Sequence, residues 1–539
     1  MTKKLFLLTA ALAISITAFA QSAKTKWDNT INKNWPASFK VINIRSTADG
    51  SMQKARFYAT QKKKAQPLIV SLHTWSGDYN QQDPLAKEVL LRGWNYIHPN
   101  FRGPNKRPQA CGSKLVLSDI EDAIHYAVRH ANVDTTEVHI IGVSGGGYAT
   151  LLCFMKLNYP VKSFNAWASI SNLVNWYWQC KGRGLKYAKD LEGVTTNGHG
   201  FDAADAVKRS PIFMNFDPQK RKGATLNIYE GIHDGYTGSV PITQSLKFFN
   251  HLAKQMYPQR KDELLSDSLM LSLVTSEINP SPDTALTIGG RKVYLYRKLP
   301  HLSLTIFEGT HEMLSNQVLA LTPVDGTVNR LKLKILTIGD SNGAFKFGWP
   351  DQLKKLLPYS TIINKSIAGN TIGFDNLDNK KLNTLRNLDD YLDAACAKGK
   401  APDYIFIGLG TNDAKRVFRN RQKEVSRNMN ILLERIKQFF SSKDLKVPEI
   451  CVLSAPPMDE QKITNKEKYG GGEGRVKENN RFFERIAKKN HCDFLDTYDV
   501  LKNDFGQKTT DGIHLKPQTQ FQVAGMIVNY LNQKSENMQ

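Results

Sequence analysis

"VHIIGVSGGGYATLLCFMKL", residues 138–157, joins three unlike pieces of chain with almost nothing between them. An apolar strand-like run ends at Gly142, a G-x-S-x-G turn carries Ser144, and an apolar helical run containing Cys153 follows at once. A strand, a strained turn and a helix in that order form the setting of a nucleophile elbow, in which Gly142 and Gly146 remove side chains and Ser144 projects. Glycine-rich turns of this kind also bind phosphate, but G-x-G-x-x-G and GxxxxGK[ST] are both missing from it.

A serine hydroxyl is a poor nucleophile until a base takes its proton, so a histidine oriented by a carboxylate must come from elsewhere in the chain. In the fold that uses such elbows the order is Ser, Asp, His, each after a later strand. "ATLNIYEGIHDGYTGSVP", 224–241, supplies Asp234 after one apolar run, and "LSLTIFEGTHEM", 302–313, supplies His311 after another. His233 precedes the last strand and reads as a loop residue, Glu230 lies inside a strand and Asp217 in a turn, so they are weaker candidates. The alternative for His311 is a surface-loop histidine. An oxyanion would be held by the N–H of Gly145 and by one from the turn in "LIVSLHTWSGDY", 68–79, at Thr74 or Trp75.

From 40 to about 314, short β-rich runs alternate with helical ones, which implies a mostly parallel sheet with helices on both faces. The pattern lapses near 315–330, and a fresh α/β alternation begins at "LKLKILTIGDS". The expected domains are therefore 21–325 and 326–539, two unlike units with no flexible Gly/Ser tract between them.

The second unit has its own serine. "KILTIGDSNG", 334–343, ends a strand at Ser341, and a helix cap would look the same, so the downstream chain decides the matter. Gly369 follows one strand in "NKSIAGNTIG", Asn412 follows the next in "IFIGLGTNDA", and "TTDGIHLKP" holds Asp511 and His514. A D-x-x-H spacing lets one turn present a base together with the carboxylate that orients it. The N–H groups of Ser341 and Gly369 and the Asn412 amide would aim three donors at one oxyanion.

"GVSGGG", "HDGYTGSVP", "GTHE" and "PNFRGP" together resemble the prolyl-oligopeptidase-like branch of the α/β hydrolases, over about 40–314. The branch includes peptidases and carbohydrate esterases, so the resemblance implies a mechanism and leaves the substrate open. Two departures stand out: no propeller domain precedes it, and "KDELLSDSLMLSLVTSEINPSPDTALTIGGRKVYLY", 261–296, is inserted between Asp234 and His311 where it would shape the site's rim. Ser341, Gly369, Asn412 and His514 resemble the SGNH, or GDSL-type, hydrolases over 331–539, which implies a smaller flavodoxin-like three-layer α/β/α domain. That resemblance makes Ser341 the nucleophile, Gly369 and Asn412 the oxyanion hole, His514 the base and Asp511 its partner. Asn342 stands where the commonest form has leucine, a change expected to alter the pocket. The SGNH resemblance implies ester cleavage, often on acetylated carbohydrate.

Two ester-cleaving machines on one chain fit a substrate with two ester decorations, as plant cell-wall polysaccharides such as pectin and xylan carry. The expectation is a bifunctional carbohydrate esterase, with a prolyl-oligopeptidase-like serine peptidase bearing an accessory esterase domain as the alternative. Substrate contacts are expected from Trp176 and Trp178 in "NLVNWYWQCKGRG", by stacking on sugar, and from Arg416 and Arg419 in "DAKRVFRNRQK", by clamping uronate carboxylates, with Lys415 and Arg421 beside them. Core packing and a solvated helix face are the respective alternatives. The net charge of +23 is spread over both halves, 37 Lys/Arg against 25 Asp/Glu in 21–330 and 34 against 25 in 331–539. It reads either as a solvated surface or as attraction to a polyanion, acidic polysaccharide before nucleic acid.

"MTKKLFLLTAALAISITAFA", 1–20, has the basic start, apolar middle and A-x-A end of a secretory signal, so a secreted or periplasmic chain starting near Gln21 is expected. No later run reaches the length of a membrane span. Six cysteines are too few for a disulfide scaffold, although Cys111 and Cys180 could pair. Neither a metal nor a cofactor is called for, since His and Cys ligands are not clustered and Ser-His chemistry needs none.

Overall fold

The computed structural model describes residues 34–195, 200–276, 286–322, 331–396 and 399–536. The expected leader and the expected junction at 325/326 lie outside them.

The first sheet has ten strands: β1 Lys40–Arg45, β2 Met52–Tyr58, β3 Gln66–Leu72, β4 Asn95–Pro99, β5 Val133–Val143, β6 Ser163–Trp167, β7 Thr225–Gly231, β8 Thr287–Ile288, β9 Arg291–Leu299 and β10 Leu302–Phe307. Their spatial order is β1-β2-β4-β3-β5-β6-β7-β10-β9-β8. The six from β4 to β10 pair in parallel, with antiparallel pairs at either edge. Strands β6 and β10 are buried along their whole length, as is β3 after its first residue, because helices cover both faces; this is why they read as continuous apolar runs. The inserted segment adds the helix Asp267–Thr275 and the β8–β9 hairpin that widens the sheet beside β10.

The second sheet is all parallel, with β11 Lys334–Gly339, β12 Thr361–Asn364, β13 Tyr404–Gly408, β14 Glu449–Leu453 and β15 Asp493–Leu495 in the order β12-β11-β13-β14-β15. This is the flavodoxin-like order expected from the sequence, with the chain's direction of travel reversing between β11 and β13. The two sheets' units touch. Lys355 Nζ meets Glu88 Oε1 at 2.8 Å, Glu88 Oε2 also meets Arg92 Nη1 at 3.1 Å, and the Arg92 guanidinium lies 4.9 Å from the Phe521 ring centre.

Arg102, in the "PNFRGP" turn after β4, ties the β1–β2 turn to the helix Lys114–His130. Its Nε bonds Asp119 Oδ2 at 2.6 Å and its Nη1 bonds Asp49 Oδ2 at 2.6 Å. The Asp119 carboxylate is almost fully enclosed, so removing the cation leaves it buried without a counter-charge. Arg102→Ala is expected to lower unfolding stability by about 3–5 kcal/mol in urea melts; a loss below ~1 kcal/mol, the scale of a surface pair, would show that the bridge is not a structural tie.

Candidate active sites

Parallel strands end on one rim, and the first constellation is assembled there. Ser144 follows β5, Asp234 follows β7 and His311 follows β10. Ser144 adopts φ 59°, ψ −121°, a strained conformation for a non-glycine residue, held by its N–H on Trp167 O at 2.9 Å. Asp234 is fully buried; its Oδ1 accepts the N–H groups of Gly235 at 2.9 Å and Val240 at 3.0 Å, and its Oδ2 lies 2.6 Å from His311 Nδ1. The other ring nitrogen of His311, Nε2, lies 3.4 Å from Ser239 Oγ.

Between Thr74 and Trp75, the structure distinguishes the two by a side chain that the sequence did not single out. Gln81 Oε1 accepts both the N–H of Thr74 at 3.0 Å and its hydroxyl at 3.1 Å, so that N–H is engaged. Trp75 N lies so close to Gly145 that a Cβ there would meet it at 2.3 Å, which only glycine permits. The Trp75 amide thus packs against Gly145, the residue after Ser144.

The second constellation is closed by hydrogen bonds. Ser341 Oγ lies 3.0 Å from His514 Nε2, and His514 Nδ1 lies 2.6 Å from Asp511 Oδ2. Asp511 Oδ1 also accepts the N–H groups of Ile513 at 3.0 Å and His514 at 2.8 Å, so one tight turn orients base and carboxylate together. Gly369, at φ 88°, follows β12, and Asn412 follows β13; the Asn412 amide donates to Asn370 O at 3.1 Å, tying the two loops.

Residues 87–265 match the model of the prolyl oligopeptidase family, and residues 336–520 match that of the GDSL-like lipase/acylhydrolase family. Each match covers about a third of the chain, and each is to a family of hydrolases. Among solved structures, a carbohydrate acetylesterase from Sinorhizobium meliloti is 22% identical over 37% of this chain and 99% of its own, with TM-score 0.33. An aryl esterase from M. smegmatis is 21% identical over 38% of this chain and 99% of its own, also with TM-score 0.33. An acylaminoacyl peptidase from Pyrococcus horikoshii is 19% identical over 41% of this chain and only 36% of its own, with TM-score 0.33. No curated protein matches the chain.

In the prolyl-oligopeptidase-like domain, burial and then the Asp234 carboxylate push Glu230 well above the usual carboxylate range. Its Oε2 takes the Ser245 hydroxyl at 2.6 Å. His233, read as a loop residue, bonds Glu308 at 2.8 Å, and Tyr294 of the inserted hairpin donates to the same carboxylate. Arg291 of that hairpin pairs with Glu312 at 2.7 Å, so the insertion braces the loop that carries His311.

One expectation of substrate contact is corrected here. Trp176 is a core residue: its ring packs on Trp75 and Tyr187, its Nε1 donates to Ser239 O at 3.0 Å, and it is 1% exposed, which leaves no face for a sugar. Trp178, by contrast, is 59% exposed beside the Lys181 ammonium. Arg416 and Arg419 both lie on an exposed surface, where Arg419 Nη1 donates to the Arg416 carbonyl. Cys111 and Cys180 share one apolar cluster as free thiols.

In the GDSL-like domain, burial raises the Asp511 carboxyl, but the His514 backbone and ring N–H groups and the Ile513 N–H outweigh it and hold it below the usual range. Burial raises Asp340, the residue before Ser341. Asn342 does something other than line a pocket. Its Oδ1 accepts Leu515 N at 2.9 Å and Gln520 Nε2 at 3.2 Å, and its Nδ2 reaches Ile513 O at 3.4 Å, gripping the chain on both sides of His514. Leucine there would leave a buried N–H unmet, at a cost of about 1–3 kcal/mol. With Ser144→Ala silencing the first site, Asn342→Leu is expected to lower kcat for p-nitrophenyl acetate by about 10- to 100-fold, the scale of a small misplacement of a reacting group, with KM little changed. An unaltered kcat would show that the His514 turn holds itself.

Proposed function

We propose that the chain is a secreted or periplasmic bifunctional carboxylic-ester hydrolase. It removes acetyl and methyl, or other acyl, esters from plant cell-wall polysaccharide such as pectin or xylan. The observation that carries the reading is the continuous Ser341–His514–Asp511 hydrogen-bond chain, at 3.0 and 2.6 Å, within a segment that matches the GDSL-like lipase/acylhydrolase family.

In the proposed reaction His514 Nε2 takes the Ser341 proton as Oγ attacks the ester carbonyl. Asp511 holds the imidazole by Nδ1–H and stabilises the imidazolium that forms. The oxyanion is received by the N–H groups of Ser341 and Gly369 and by the Asn412 amide, and loss of one such donor typically costs ~10²–10³ in rate. His514 then gives the proton to the leaving alcohol, and water, activated by the same nitrogen, releases the acid and restores Ser341. Ser144, His311 and Asp234 follow the same course in the first domain, with Gly145 and Trp75 as the donors.

The net charge of +23 supports an acidic polysaccharide over a neutral one. The match of residues 87–265 to the prolyl oligopeptidase family favours a second reading, peptide cleavage at Ser144. Ser144→Ala and Ser341→Ala, each assayed for acetate and methanol release from pectin and xylan, separate them. The dual-esterase reading expects each variant to lose a different product. If neither serine affects any release, the reading fails, and a chromogenic peptide cleaved far faster than p-nitrophenyl acetate in a Ser144-dependent way supports the peptidase instead.

A further inference from the structure

Lys415 stands three residues beyond Asn412 and is 2% exposed. Taking a cation that far from water is expensive unless it is paired. Among the described residues Lys415 makes no ion pair; its Nζ donates to Asn376 Oδ1 at 3.1 Å. The acceptor is itself 1% exposed and passes the contact on, because Asn376 Nδ2 donates to Gly369 O at 2.6 Å. An amide offers one acceptor end and one donor end, so a cation fixed on its oxygen decides which end faces Gly369.

The surroundings place this relay at the second site. Ala414, next to Lys415, and Ile513, next to His514, lie in one apolar cluster with Tyr469 packed against it. The Lys415 ammonium lies 5.7 Å from the Tyr469 ring centre. The charged and titratable groups facing it are Asp340, Asp413, Lys468 and Tyr469. Burial drives the Lys415 ammonium down to about 8, and Lys468 adds to the shift. Burial pushes Asp413 up to about 7 and Tyr469 up to about 12.

We propose that Lys415 is a positioning residue for ester hydrolysis at Ser341, acting through Asn376 to hold the Gly369 loop in the geometry that receives the oxyanion. A charge-assisted hydrogen bond is roughly twice as strong as a neutral one, so the relay tightens while the amine is protonated and slackens once it is not. The inference rests on the reading of Ser341 as an esterase nucleophile.

The test uses the full chain carrying Ser144→Ala, with p-nitrophenyl acetate corrected for spontaneous hydrolysis. Ser341→Ala must abolish the remaining turnover; if it does not, the esterase reading itself fails. With that control met, Lys415→Met is expected to lower kcat about 10- to 100-fold while KM stays within about twofold. Asn376→Ala, which leaves the ammonium in place and cuts the link, should do the same and carries the test if Lys415→Met does not fold. The double variant should be no slower than the poorer single, since both break one chain of contacts. The parent's kcat should fall above about pH 8, a limb missing from Lys415→Met; Asp413 titrates below that window and Tyr469 above it. The proposal is overturned if Asn376→Ala keeps full kcat, if the two losses multiply, or if the alkaline limb persists in Lys415→Met.

Discussion

A parallel sheet ends all its strands on one rim, and where the chain's direction of travel reverses, two neighbouring strands send their following loops apart and leave a crevice. Both sites in this protein depend on that constraint. In the first sheet the reversal lies between β3 and β5, which are followed by Trp75 and Ser144. In the second it lies between β11 and β13, which are followed by Ser341 and Asn412. The proposed nucleophile and oxyanion donor therefore come from adjacent strand ends in each case, with no resemblance between the loops that carry them.

The two constellations orient their histidines differently. Asp234 and His311 stand on separate loops, so their 2.6 Å contact depends on the pairing of β7 with β10 and on the braced hairpin behind His311. Asp511 and His514 share one turn, and their alignment is local. The turn must still be fastened to the nucleophile's strand, and Asn342, adjacent to Ser341, does so by bonding Leu515 N. The first site is thus organised by the sheet, and the second by one side chain next to its serine.

What the sequence disclosed followed the same division. Runs such as "LSLTIF" and "YIFIG" announced buried parallel strands because both faces are covered, and the glycines around Ser144 marked a turn that tolerates no Cβ. The Asp234–His311 contact was legible because chain order after successive strands is fixed by topology. Side-chain direction was not legible. Trp176 and Trp178 sit two residues apart on one helix, so one is enclosed by Trp75 while the other meets solvent, a difference that composition does not carry. Lys415 looked like one cation among several, yet it alone of that run turns inward to Asn376. Gln81 left no signal at all, since its partner Thr74 is near only after the loop closes.

The central claim is that one chain holds two independently activated serines. Intact mass after treating the native full chain with a fluorophosphonate reads this directly, because such reagents modify a serine only when a base has activated it. Two adducts, mapped by peptide mass to Ser144 and Ser341 and lost one at a time in the corresponding alanine variants, are the expected result. A folded chain that accepts one adduct or none would contradict it.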